Sequence, residues 1–193
     1  MRARTLFAGG LIAALVTHVA PAGAARPEMV VGIGSTAAVE GELGTSGASL
    51  SGSLLWPLED HFRIGLMALA DDFGELRGRL TAPGSVDLGP VAEAHRAALG
   101  ALWRMEAHLP SAGAYDLFAA ATWGAYRVSD DVRGTTTRRL SAAGLGLGLG
   151  VARRIAGAQV AGITLRYQLL SRGAAQRYLS AAIEWRWSRR ATE

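Results

Sequence analysis

Few residues in this chain are suited to chemistry. Beyond the first 24 residues there are three histidines, His61, His95 and His108, and the whole sequence contains no cysteine. Disulfides, a thiol nucleophile, thiolate metal sites and a lipidated N-terminal cysteine are thereby excluded. A hydroxyl nucleophile needs a base within hydrogen-bond reach, and His95 has no serine in helpful register. His108 and Asp116 can hydrogen-bond, which reads as a satisfied structural pair. Gly32-Ile33-Gly34 and the glycines from Gly144 to Gly150 lack the lysine and the strand-to-helix context of phosphate loops. No catalytic, cofactor or metal site is expected.

A larger set has a different chemistry. Arg63, Arg96, Arg104, Glu106, Asp116, Arg166, Glu184 and Arg186 each fall at the polar parity of a segment whose other parity is apolar. Charges collected on one face and turned inward must pair, since a desolvated, unpaired charge is costly. The chemistry expected of them is therefore a network of ion pairs in an enclosed space.

The segments that carry them have a period of two, the signature of strands. From Tyr178 to Ser188, Leu179, Ala181, Ile183, Trp185 and Trp187 alternate with Ser180, Ala182, Glu184 and Arg186. Ala161 to Leu169 behaves likewise, and Leu145, Leu147, Leu149 and Val151 alternate with four glycines. Met29 to Glu40, Ala48 to Leu58, Phe62 to Ala70, His95 to Leu109 and Tyr115 to Val128 complete a set of eight. Val91 to Leu109 is rich in helix formers, yet Arg96, Arg104, Glu106 and His108 share one strand parity, which a helix would scatter.

The connections alternate too. Short gaps follow the second, fourth and sixth segments, and longer or more polar ones follow the first, third and fifth; the longest runs from about Asp71 to Ala92. Short turns at one end and long loops at the other are the pattern of a barrel with both termini on the periplasmic side. Parity allows Leu165 to pair with Ile183, which sets Arg166 diagonal to Glu184, and Leu109 with Tyr115, which sets His108 opposite Asp116. The outward face then carries Trp56, Phe62, Trp103, Tyr115, Trp185 and Trp187 towards the short-turn end, with Trp123 and Tyr167 towards the other, as a membrane-interface girdle requires.

The expected fold is all-β: an eight-stranded antiparallel up-and-down transmembrane β-barrel over residues 25–193, after a signal peptide over residues 1–24. The leader reads from Arg2 and Arg4, the apolar stretch Leu6 to Val19, and the small-residue site Ala22-Gly23-Ala24. Hydrophobic residues make up 50 % of the 193, and 25 are glycine. After the leader the apolar residues are too dispersed for a spanning helix. The formal charge of +4 falls by the leader's two arginines, a balance too small to argue for nucleic acid.

In this pattern the chain resembles the small outer-membrane barrel superfamily that includes the outer-membrane protein A, X and W types. The most specific features are the leader and the terminal strand from Tyr178 to Trp187, which is similar to the signal read by the barrel-assembly machinery. Residues 188–193 depart from it, because such strands often end on the aromatic itself. The resemblance implies an exported protein of the bacterial outer membrane with a structural, interaction or narrow-pore role. Its implied partners are membrane lipid, lipopolysaccharide and the assembly machinery. Arg133, Arg138 and Arg139 could meet lipopolysaccharide phosphates from the loop after the fifth strand. The alternatives are a soluble periplasmic barrel that binds lipid inside and a lipid A-modifying enzyme, a deacylase or palmitoyltransferase.

Overall fold

The computed structural model describes residues 27–39, 46–76, 79–81, 87–90, 94–109, 114–132, 135–157, 159–171 and 176–187. The leader expected over residues 1–24, Arg133 and the tail from Ser188 lie outside them.

The described strands are β1 (Glu28–Ala38), β2 (Ser46–Glu59), β3 (Phe62–Leu76), β4 (Arg79–Thr81), β5 (Asp87–Pro90), β6 (Ala94–His108), β7 (Tyr115–Val132), β8 (Thr135–Ala156), β9 (Gln159–Leu170) and β10 (Gln176–Trp187). Eight of them close into a barrel in the order β1-β10-β9-β8-β7-β6-β3-β2, and β4 with β5 forms a separate two-stranded sheet. Every neighbouring pair in the barrel is antiparallel. Closure pairs the first strand with the last and so removes the open edges that a free sheet would present.

The alternation in sequence becomes alternation in burial. In β9, Thr164, Arg166, Gln168 and Leu170 are buried, while Ile163, Leu165 and Leu169 are exposed. β6 behaves the same way, with Leu102, Arg104, Glu106 and His108 inside and Trp103 and Met105 outside. The glycines of β8 line one wall of the interior. A Cβ at Gly150 would collide with the Phe118 ring, and one at Gly144 with the Tyr126 ring. Glycine at these two positions lets aromatic rings from β7 lie against the β8 backbone.

Three expectations are corrected. First, both hairpin registers are displaced by two residues. Leu165 pairs with Ala181, and Ile183 with Ile163; His108 pairs with Phe118, and the Leu109 amide donates to the Leu117 carbonyl at 2.8 Å. A two-residue slip keeps every side chain on its face, so hydrophobic parity cannot detect it. Second, the polar segment taken as the loop after the fifth strand is strand: β7 and β8 pair up to Val132 and Thr135. Its residues are polar at both parities, which erases the alternation, while Thr135, Thr136 and Thr137 favour extended backbone. Third, the stretch after Asp71 is not all loop. β3 continues to Leu76, and β4 and β5 lie within the gap.

Candidate functional site

The interior is built from side chains that the strands turn inward at every second position. Near the end where β2 leads into β3, β6 into β7 and β8 into β9, four charged residues converge. Arg104 Nη2 lies 2.9 Å from Glu184 Oε2 and 2.5 Å from Glu106 Oε1. Arg186 grips Glu106 with both terminal nitrogens, at 2.7 and 3.1 Å, and reaches Glu184 at 3.0 Å. Two arginines and two glutamates make the quartet neutral, and all four are buried.

The quartet is braced from below. His108 Nε2 lies 3.0 Å from Glu106 Oε2, and its Nδ1 lies 2.8 Å from Asp116 Oδ2. The His108 ring stacks on Phe118 with centroids 5.3 Å apart. The Arg186 guanidinium covers the other partner of that stack, 4.2 Å from the Phe118 centroid, a cation–π contact in a desolvated setting. At the mouth, Arg63 pairs with Glu28 at 3.2 Å.

A second polar level lies towards the opposite end. Asp71 accepts from Ser49 at 2.6 Å and from the Tyr178 hydroxyl at 2.9 Å. Tyr178 also stands 2.7 Å from Gln168 Oε1, which Tyr126 bonds as well. Phe73 meets the Tyr178 ring edge-on with centroids 4.9 Å apart. Leu69, Leu102, Val128 and Leu170 pack around these rings as the apolar part of the fill.

Arg166 stands between the two levels. Its Nη1 donates to Met67 Sδ at 3.4 Å, while its Nε and Nη2 have no hydrogen-bond partner among the described residues. The expected Arg166–Glu184 ion pair is therefore corrected: Glu184 is taken by Arg104 and Arg186. The slipped register sets Arg166 opposite Ser180 and Glu184 opposite Gly162, so the two are not diagonal neighbours.

Of the eight charged residues singled out in the sequence, Arg104, Glu106, Glu184 and Arg186 thus meet, and Asp116 joins them through His108. Arg63 sits apart at the mouth. Arg96 lies far along β6, in register with Asp130 near the other rim. Asp71 was missed because strand three was ended at Ala70. The parity running through Met67 and Leu69 continues through Asp71 to Phe73 and would have placed it inside. Gln168, Tyr126 and Tyr178 were assigned to strands without a polar role, because their partners come from strands remote in sequence.

Outside, Phe62, Tyr115 and Trp185 are exposed near the short-turn end, and Trp56 and Trp187 are half-buried there. Trp103 is corrected. It pairs directly with Trp123, so the two share one level instead of lying towards opposite ends. Arg153 covers the Tyr115 ring at 5.6 Å. Between the aromatic residues runs a band that includes Ile33, Leu99, Leu147, Leu149, Ile163 and Ile183, all exposed.

No protein-family model and no curated protein matches the chain. Solved structures do. The crystal structure of Neisserial surface protein A aligns with 86 % of this chain and 98 % of its own, at a TM-score of 0.62 and 15 % identity. The N-terminal β-barrel domain of Pseudomonas aeruginosa OprF aligns over 85 % of this chain and 99 % of its own, at a TM-score of 0.53 and 10 % identity. Both likenesses span nearly the whole neighbour. The chain has the fold of the small eight-stranded outer-membrane β-barrels.

Proposed function

We propose that the chain is a bacterial outer-membrane protein that spans the bilayer as a plugged barrel and serves a structural or interaction role. The observation that carries this reading is the direction of burial. Leu149 is 70 % exposed and Leu147 62 %, whereas Arg104, Glu106 and Glu184 are 0 % exposed. Apolar residues outside and ion pairs inside suit a barrel whose solvent is lipid. A soluble lipid-binding barrel would need the reverse, an apolar cavity within a polar exterior. The leader would export the chain, and the strand ending at Trp187 would present it to the barrel-assembly machinery. Outer-leaflet lipid and lipopolysaccharide would be its neighbours, and nucleic acid would not.

The lumen supports a packed role over a transport role. Side chains from opposite walls meet at two levels, and the lower one is an ion-paired quartet. The test combines three measurements. Membrane fractionation should recover the chain in the outer membrane. The unheated protein should migrate apart from the heated one on a gel. Planar-bilayer recordings should find no steady conductance. Recovery in the soluble periplasm would sink the membrane reading, and a steady conductance would sink the plug.

A further inference from the structure

His108 ends β6 with its side chain turned into the lumen, and both of its ring nitrogens meet carboxylate oxygens. A neutral imidazole has one donor nitrogen and one bare acceptor, and an ionised carboxylate only accepts. Two hydrogen bonds therefore need one proton more than a neutral ring and two carboxylates hold. Glu106 is not its carrier, because it already accepts from Arg104 and from both terminal nitrogens of Arg186. Asp116 is not either, because its side chain is 39 % exposed, against 5 % for His108, and keeps its water. The proton falls to the ring. The charges at this end agree. With His108 charged, Arg104, Arg186 and His108 balance Glu106, Glu184 and Asp116. With it neutral, one negative charge is left in excess at a largely desolvated site. Phe118 on β7 stacks on the ring at 5.3 Å, within range of a cation–π contact. The other walls bring no competing partner to the ring. Arg63 on β3 pairs with Glu28 on β1, and Arg154 on β8 is exposed. His61, before β3, offers its carbonyl to the His108 amide at 2.7 Å and is itself exposed.

We propose that His108 is held as an imidazolium and serves as a proton-operated latch between the buried quartet and Asp116, closed in acid and released in base. When the ring gives up a proton, one carboxylate must face a bare nitrogen. Glu106 is fully buried, so the remaining N–H stays with it. Asp116 then faces a lone pair, and its half-exposed carboxylate turns to water. The start of β7 thereby loses its tie to the end of β6 and, through His108, to the quartet. Stability follows the proton. An unfolded histidine is neutral above about pH 6.5, whereas the closed latch keeps its proton. The folded chain then binds one proton more than the unfolded chain, and stability falls as the pH rises. The contribution is complete in mild acid, before the carboxylates themselves take up protons.

The test uses the full chain folded in detergent with nitrogen-15 in its histidines. Protonated and bare ring nitrogens resonate far apart in the NMR spectrum, so the proton is read directly on the wild type. Replacing His18, His61 and His95 by Gln, one at a time, assigns the signals and leaves His108 in place. At about pH 6 both His108 nitrogens should carry hydrogen, and at about pH 9 Nδ1 should be bare. The urea midpoint of the wild type should fall between the same two conditions, and His61→Gln should keep that fall. Asp116→Asn should lose most of it, because an amide can accept from an N–H or donate to a bare nitrogen. A merely structural Asp116 would lower the midpoint equally at both pH values. A bare His108 nitrogen already at about pH 6, or a ring still doubly protonated at about pH 9, overturns the latch. So does an undiminished fall in Asp116→Asn.

Discussion

Arg104 on β6 and Glu184 on β10 stand on diametrically opposite walls, four strands apart in either direction round the barrel, and their Nη2 and Oε2 atoms are 2.9 Å apart. Arg186 and Glu106 span the same diameter in the opposite sense. The pairs cross one another, and each carboxylate is shared by both guanidiniums. A sheet closed by hydrogen bonds at its seam is thus also tied through its interior. Phe118 on the intervening wall lies against Gly150 and carries Arg186 on its face.

The tie predicts strong coupling. Removing one member leaves each remaining group one partner but gives the quartet an uncompensated buried charge, at a cost of up to about 3–5 kcal/mol. Arg104→Met or Glu184→Gln alone should each lower stability by that order. The double variant should lose less than the sum, because Arg186 and Glu106 still satisfy each other. Denaturant unfolding in detergent, followed by tryptophan fluorescence, measures all four corners of the cycle. Additive losses would mean that the two residues do not share the lumen as described.

Arg166 and Glu184 should behave differently. They face the same interior without a hydrogen bond between them, because Arg166 stands opposite Ser180, Ala182 fills the inward position between Ser180 and Glu184, and Glu184 is already paired. The coupling in the cycle of Arg166→Met and Glu184→Gln should be well below that of Arg104 with Glu184, because the two charges act across the lumen without a hydrogen bond between them. Arg166→Met alone should cost less than Arg104→Met, since Arg166 donates only to Met67 Sδ and its loss breaks no hydrogen-bonded ion pair. A loss comparable to that of Arg104→Met would contradict this.

Gly150→Ala tests how tightly the wall is packed. The added Cβ would strike the Phe118 ring, which is held between the His108 stack and Arg186 and has little room to yield. Overpacking of this kind costs about 1–3 kcal/mol. Phe118→Leu in the Gly150→Ala background should recover part of the loss, although it is itself destabilising in the wild type. The comparison is read from gel-shift midpoints of the four proteins; no recovery would place Phe118 elsewhere.

What was legible in the sequence was facing. Arg104, Glu106, Glu184 and Arg186 could be assigned to the interior because each sits between apolar neighbours at the other parity, and parity survives any even slip. What was not legible was partnership. Glu184 meets Arg104, 80 residues away, through closure of the barrel, which no local pattern encodes. Register was lost for a related reason: the sequence between the paired strands, at residues 110–113 and 172–175, carries no two-residue hairpin signature of the kind that fixes pairing. The upper part of β7 and β8 was lost because Ser129, Asp130 and Thr135 to Arg139 are polar on both faces, as suits backbone projecting beyond the apolar band.

Leu147→Arg probes the exterior. Leu147 is exposed in the middle of the apolar band and lies opposite Ala121 and Tyr167. A lipid-facing arginine near the bilayer midplane costs about 2–4 kcal/mol. Folding yield into vesicles, read by gel mobility, should fall, and Leu147→Ile should leave it unchanged. Arg139→Leu, at the rim of the same strand, carries no such penalty. Equal yields for Leu147→Arg and wild type would remove Leu147 from contact with lipid.

The register of the last hairpin has a direct chemical test, because the chain has no cysteine of its own. Leu165 and Ala181 are paired residues, and opposed residues in antiparallel strands lie about 4.5–5.5 Å apart at Cα, within the 4.4–6.8 Å that a disulfide spans. Ile183 is two residues further along, which makes it a diagonal neighbour of Leu165 at about 7–8 Å, beyond a bridge without backbone movement. All three side chains face outward, so a cysteine at any of them leaves the interior ties untouched. The folded variant Leu165→Cys/Ala181→Cys should therefore oxidise readily and lose both thiols to a maleimide probe. Leu165→Cys/Ile183→Cys, which the parity-matched register would favour, should keep them. The reverse result would restore the unslipped register, and with it the diagonal placement of Arg166 against Glu184.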